Sequence, residues 1–361
     1  MKKTITYIFL LSVTVLLLLN PDKSVYYAKK GIDICCDIII PSLFPFFVCS
    51  GLLIYSGFCE VLAKLFRPVM KPLFNINPAG AAAFILGIVS GYPLGAVTAC
   101  QLYNSLYLSK SEAERLLAFC NNSGPLFILG AVGVSLYHSP KIGIILYTAH
   151  ILGAVTVGIL FRFYKPSSFC APHAEVSTNS KSLSCIFSEV LSNSIQSILT
   201  VCGAVIFCSV ISSLIVDLIN INPAAKAILS GIMEFASGLN RISALDASLF
   251  GKLVISAWIC AFAGVSVHLQ VMGVTAKSGL SLKPYIIGKI MHGFFACVYT
   301  YIALKLIHVT QTTSAYYQST QKLSAGFCIG SLYVLITVLF LFAMGIPYFF
   351  KRCKDKTKIY E

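Results

Sequence analysis

The chain has 361 residues, 57% of them hydrophobic and only 11% charged, with a mean hydropathy of +0.84. A soluble domain carries about 25% charged residues, so this composition excludes one and indicates an integral membrane protein with room for several spans. The formal charge is +14, but the surplus sits mostly in short loops and the C-terminal tail, where basic residues mark the cytoplasmic side and meet anionic headgroups; no basic, aromatic-interleaved soluble domain exists to bind nucleic acid.

In chain order, the first apolar run is 5–19. Lys2-Lys3 gives it the outline of a signal peptide, yet Leu19-Asn20-Pro21-Asp22 is no small-residue cleavage site, so it reads as a retained transmembrane segment within 1–24. Residues 22–37 are amphipathic and carry Asp22, Lys23, Lys29, Lys30, Asp33 and Asp37, the pattern of an interfacial helix. A kinked span follows at 38–58, with Pro41 and Pro45. Apolar runs at 79–103 and 116–137 are broken near Pro93 and Pro125, and 142–164 is an unbroken span. Between the broken runs, Ser109-Lys110-Ser111-Glu112 spells a capping box that starts a helix, with Glu112, Glu114 and Arg115 placed at or outside the membrane interface.

A polar linker at 165–185 separates the halves, and the plan then recurs. Spans are expected at 190–219, 224–240 with a break, 249–275 with a break, and 284–308. A polar stretch at 309–324 leads to a final helix at 325–350 and a basic tail at 351–361, which the positive-inside rule puts in the cytoplasm. Asn-Ile-Asn-Pro-Ala occurs at 75–79 and again at 220–224. Cys120 to Gly124 aligns with Cys260 to Gly264, Gly133-Val134 with Gly273-Val274, and His150 with His292, all at a nearly constant separation. The expected fold is therefore an all-α polytopic membrane protein of two repeated, inverted helical units, 25–164 and 186–308. Their discontinuous helices would meet near the bilayer midplane.

The breaks are where chemistry is expected. Gly87, Gly91 and Gly95 surround Ser90, Tyr92 and Pro93; small residues four apart let helices pack closely, while Pro93 frees backbone groups that need partners. Asn121-Asn122-Ser123-Gly124-Pro125 lies between apolar runs, and buried amides need either mutual partners or a ligand. Pro125 suits the first turn of a half-helix whose amide end attracts an anion. The corresponding second-half residues are Ser237, Gly238 and Asn240, within a break read at 236–240, and Ser266, His268 and Gln270 after Gly264. Glu234 is an intramembrane carboxylate: a carrier of a coupling proton, a ligand for a cation, or the partner of Arg241 two turns on.

The fourteen cysteines mostly fall in apolar runs without metal-ligand spacing, so neither metal nor cofactor is expected. Metalloprotease and nucleotide-hydrolysis motifs are missing, and nothing beside Ser90 fixes an oxyanion hole; the residues describe no enzyme.

The run from Gly87 to Ala96, the run from Glu112 to Ile128 containing Phe-Cys-Asn-Asn-Ser-Gly-Pro, and the second-half run from Phe262 to Val271 together resemble the sporulation integral membrane proteins called YlbJ or SpoVV. The resemblance covers roughly 35–350. It implies two gate domains related to nucleoside transporters. It also implies a role in moving dipicolinic acid from the mother cell across the outer forespore membrane. A secondary transporter of a small organic anion is thus expected. The alternatives are a nucleoside or other neutral-solute permease, or a non-transporting scaffold for spore assembly. Its partners would be the anion and the lipid bilayer, with self-association left open.

Overall fold

A computed structural model describes residues 2–56, 58–166, 183–276 and 278–307. Most of the expected linker, the final span and the basic tail lie outside the described residues. Regular structure among the described residues is entirely helical. The first half contains α1 (Lys2–Leu19), α2 (Pro21–Ile34), α3 (Ile40–Tyr55), α4 (Phe58–Val69), α5 (Ala81–Ser90), α6 (Leu94–Asn104) and α7 (Lys110–Cys120). A wide π-helical segment (Leu126–Leu136) and the long α8 (Pro140–Phe161) complete it. The second half contains α9 (Leu183–Leu218), α10 (Pro223–Met233), α11 (Phe235–Ser243), α12 (Leu249–Phe262), α13 (Gly264–Ala276) and α14 (Lys283–Leu306). Among the described residues, four helical stretches are long and apolar enough to cross a membrane: 140–161, 184–218, 249–276 and 283–306. A fifth crossing is available if 61–74 and 78–90, which meet at a 100° bend, form one span.

The repeated Asn-Ile-Asn-Pro-Ala segments have a local physical role. In each, the second Asn caps a helix start and the Pro occupies its first turn, where a missing N–H costs nothing. Asn77 Oδ1 accepts from Ala79 N at 3.0 Å, and Asn222 Oδ1 accepts from Ala225 N at 2.8 Å. Each motif thereby launches the first broken helix of its half. The order after it is the same in both: a helix broken once (α5–α6, α10–α11), a second broken helix (α7 with the π-helical segment, α12–α13), then a long helix (α8, α14).

The helix expected over 22–37 runs on without a break through Cys35–Ile39 into α3. α2 packs along α9, because Gly31 brings its backbone against Ile206, and Lys23 and Tyr27 both bond Asp217 at 3.3 and 2.7 Å. The capping box at Ser109 and Glu112 is present. The charges around it, however, are covered by protein rather than set in a loop. Arg115 donates to the carbonyls of Asn75, Tyr164 and Lys165, and Glu114 accepts from Ser281 N, Tyr164 Oη and Lys165 Nζ. These ties bind the ends of helices from both halves, which is why a charged turn is buried here.

Glu112 makes three hydrogen bonds, from Asn77 N, Ser109 N and Ser109 Oγ, whereas Ser109 Oγ caps one amide. Ser109→Ala should therefore cost about 1 kcal/mol and Glu112→Ala clearly more. Thermal unfolding of detergent-solubilised protein reads the order; equal midpoints for the two variants would contradict it.

Candidate functional site

The broken helices cross one another. In the first half, Gly87 and Gly95 both face the carbonyl oxygen of Cys120, the last residue of α7, with no space for a Cβ at either position. Gly91, at φ +90°, would place a Cβ 2.9 Å from Gly124 N. The two breaks, 91–93 and 121–124, are thus in backbone contact. In the second half, Gly238 lies against Gly231, and Gly264, at φ +71°, lies against the Gly231 carbonyl and Phe235 N. The glycines expected to permit close packing do so, and they do so at the breaks.

A cavity lies beside the first crossing. Ser90, Gly91, Tyr92, Ser123 and Gly124 line it from the two breaks, and Gln270 from α13. Apolar side chains of α3, α9 and the π-helical segment, together with Phe235, complete its wall. Ser90 Oγ and Gln270 Oε1 are buried and make no hydrogen bond, and Ser123 Oγ is buried with only the Tyr92 hydroxyl near it. Tyr92 also reaches Cys260 O at 3.5 Å and packs edge-on against Phe235, at 5.2 Å between ring centres. The wall thus joins elements from both halves.

Five of the expected site residues therefore meet at one cavity: Ser90, Gly91, Ser123, Gly124 and Gln270. Pro93 flanks it, at a cis Tyr92–Pro93 peptide. Asn122 is fully buried; its Nδ2 donates to Phe119 O at 2.9 Å and its Oδ1 has no partner. The Ser123 amide, in the break before Pro125, donates to His150 Nε2 at 3.0 Å. Ser266 is buried with an unpartnered Oγ, and His268 Nδ1 bonds Tyr285 Oη at 2.9 Å; neither lines the cavity.

The second break is not at 236–240. It falls at Glu234, and Ser237, Gly238 and Asn240 lie within α11. The cause is the carboxylate: Glu234, fully buried, accepts from Ala236 N at 3.0 Å and Ser237 N at 2.6 Å and so starts a new helix at Phe235. No ion pair with Arg241 forms among the described residues. Asn240, near the far end of α11, is exposed, and Gly238 serves packing.

His150 and His292 meet where α8 packs on α14, with ring centres 4.4 Å apart and His292 Nε2 2.8 Å from His150 O. One turn before His292 lies a residue the sequence reading passed over. Lys289 is 1% exposed; its Nζ donates to Asn121 O at 3.1 Å and lies 5.8 Å from the Tyr92 ring centre. The rule that singled out Glu234 applies equally to a lysine inside an apolar run. It stands in the first turns of that run, where a lysine stem ordinarily reaches out to the membrane surface.

Residues 37–206 match a family described as Gate: Nucleoside recognition. The chain is 30% identical over 335 residues to the sporulation integral membrane protein YlbJ of Bacillus subtilis (strain 168), across 83% of this chain and 82% of that protein. No solved structure matches it. The extent of that identity, over a chain whose first crossing lies within the matched gate region, places this protein in the YlbJ family of sporulation integral membrane proteins.

Proposed function

We propose that this protein is a secondary transporter of a small organic anion, dipicolinate in its sporulation setting, carried from the mother cell across the outer forespore membrane. The observation that carries the reading is the cavity at the first crossing. Ser90 Oγ and Gln270 Oε1 face it buried and without hydrogen-bond partners, and Ser123 Oγ has only the Tyr92 hydroxyl near it, in walls that are otherwise apolar. A buried polar atom without a partner costs about 1–3 kcal/mol, and a scaffold has no use for a cluster of such groups around one cavity. A planar aromatic carboxylate offers ring surface for the apolar wall and acceptors for the two hydroxyls. The two halves act as inverted repeats around a site near the bilayer midplane. Rocking of one against the other alternates access, with the breaks as hinges.

A second reading, a nucleoside permease, draws on the family description attached to residues 37–206. The two readings separate in proteoliposomes loaded with labelled dipicolinate or uridine. Saturable dipicolinate uptake that uridine does not inhibit supports the anion transporter. Ser90→Ala, which removes a hydroxyl donor from the cavity wall, should then lower uptake at low substrate about tenfold or more, the worth of one hydrogen bond to a charged solute. Uridine uptake without dipicolinate uptake moves the protein to the permease reading.

A further inference from the structure

Among the described residues, Arg115, Lys252, Glu112 and Glu234 are interior charges bonded to the main chain at helix termini. Arg115 and Lys252 each bond two or more main-chain carbonyls, and Glu112 and Glu234 each accept from two main-chain amides. Lys289 departs from this pattern. It is as deeply buried as Arg115, yet its ammonium makes one hydrogen bond, to Asn121 O, and no carboxylate pairs with it among the described residues. An ammonium has three protons to place, and an unpaired one in a membrane protein's interior is costly.

The surroundings show where a partner fits. Asn121 opens the break whose later residues, Ser123 and Gly124, line the cavity, so Lys289 holds one end of a short strand of chain and the cavity lies at the other. The Tyr92 ring stands between: it lines the cavity and lies 5.8 Å from Lys289 Nζ. Around this layer, Asn122 Oδ1 and Ser90 Oγ make no hydrogen bond, and the Asn121 amide and Ser123 Oγ have only the Tyr285 and Tyr92 hydroxyls near them. Glu234, the other deeply buried charge near Tyr92, is held by the start of α11.

We propose that Lys289 is the counter-charge for the transported solute: a carboxylate entering the cavity displaces the Tyr92 ring and takes its place against the ammonium. The inference rests on the anion-transport reading above and adds the residue that makes the site select negative charge. Serine and amide groups orient the solute, and a neutral isostere that lacks the charge is left facing an unpaired cation.

The test uses full-length protein in proteoliposomes with labelled dipicolinate, and thermal unfolding in detergent to confirm folding. Lys289→Met and Lys289→Gln should both lower dipicolinate uptake roughly hundredfold at low substrate, the usual loss when one partner of a buried charge pair is removed. Wild type should be inhibited by unlabelled dipicolinate and not by the neutral pyridine-2,6-dicarboxamide. Methionine fills similar volume without a charge, and such replacements of buried ions are often neutral for stability, so this variant should fold. Folded Lys289→Met with wild-type dipicolinate uptake would overturn the inference while leaving the transporter reading intact, with Lys289 reduced to a cap on α7. The diamide competing as well as the dicarboxylate would overturn it even if neither variant folds. Wild-type protein that carries uridine and no carboxylate would remove both readings together.

Discussion

Alanine at Gly95 should abolish the folded protein in detergent extracts, while alanine at Gly203 leaves its thermal midpoint unchanged or slightly raised. Both glycines are helical, so propensity favours alanine equally at each, by roughly 0.5–1 kcal/mol. The difference is what the added carbon meets. At Gly203 it meets nothing within 4 Å. At Gly95 it meets the carbonyl carbon and oxygen of Cys120 and the Cα of Asn121, all main chain. Overpacking commonly costs 1–3 kcal/mol where side chains can shift, and here none of the obstructing atoms belongs to a side chain. Relief requires moving α6 away from the end of α7, which opens the crossing of the two breaks and the cavity beside it. Gly87→Ala should behave in the same way, since Gly87 faces the same carbonyl from α5. Size-exclusion chromatography after detergent extraction, with thermal unfolding of whatever is recovered, reads the result. A Gly95→Ala protein of wild-type yield and midpoint would show that the backbone contact at the crossing is not as described.

The parts of this architecture that could be read from residues are those fixed by local chemistry. Asn followed by Pro before an apolar run specifies a capped helix start wherever it occurs, and both copies of the motif do this. Ser109 and Glu112 likewise fix a helix start with four residues. Pro93 and Pro125 mark breaks because proline cannot continue a hydrogen-bond ladder. What could not be read depends on contacts between distant segments. Gly238 looked like part of a break because glycine weakens helices, but its reason is contact with Gly231 seven residues earlier, across the break, which a sequence pattern does not distinguish from a turn. Glu112, Glu114 and Arg115 looked solvent-facing because charge usually is. Their carbonyl and amide partners come from Asn75, Asn77, Tyr164 and Ser281, far apart in sequence. Lys289 was hidden by its position near a helix start, although its burial follows from packing of α14 on α7, where Gly288 lies directly against Ala118. The cavity itself combines positions from α3 to α13, and only its polar members carried any signal in the sequence.

Substitutions at Glu234 should separate a helix cap from a proton carrier, and the structure sets the expected order. Both carboxylate oxygens accept main-chain amides at the start of α11, with the negative charge facing the positive end of the helix. Glu234→Ala removes two charge-assisted bonds in a fully buried position and should cost about 3 kcal/mol or more, enough to deplete the folded protein. Lost uptake in that variant would therefore say nothing about coupling. Glu234→Asp keeps charge and acceptors in a residue well suited to capping, and should stay within about 1 kcal/mol of wild type. Glu234→Gln keeps one acceptor and turns a donor toward the second amide, so its midpoint should fall between those of Asp and Ala. If capping is the role of Glu234, the Gln variant, scaled to the amount folded, carries dipicolinate at a rate within about threefold of wild type, since a tenfold loss would already mean 1.4 kcal/mol of lost binding or barrier. Its response to an imposed proton gradient should match wild type as well. A folded Gln variant that transports down a dipicolinate gradient but no longer responds to the proton gradient would instead make Glu234 the proton carrier. The cap would then be the resting arrangement of a group that leaves α11 when it is protonated.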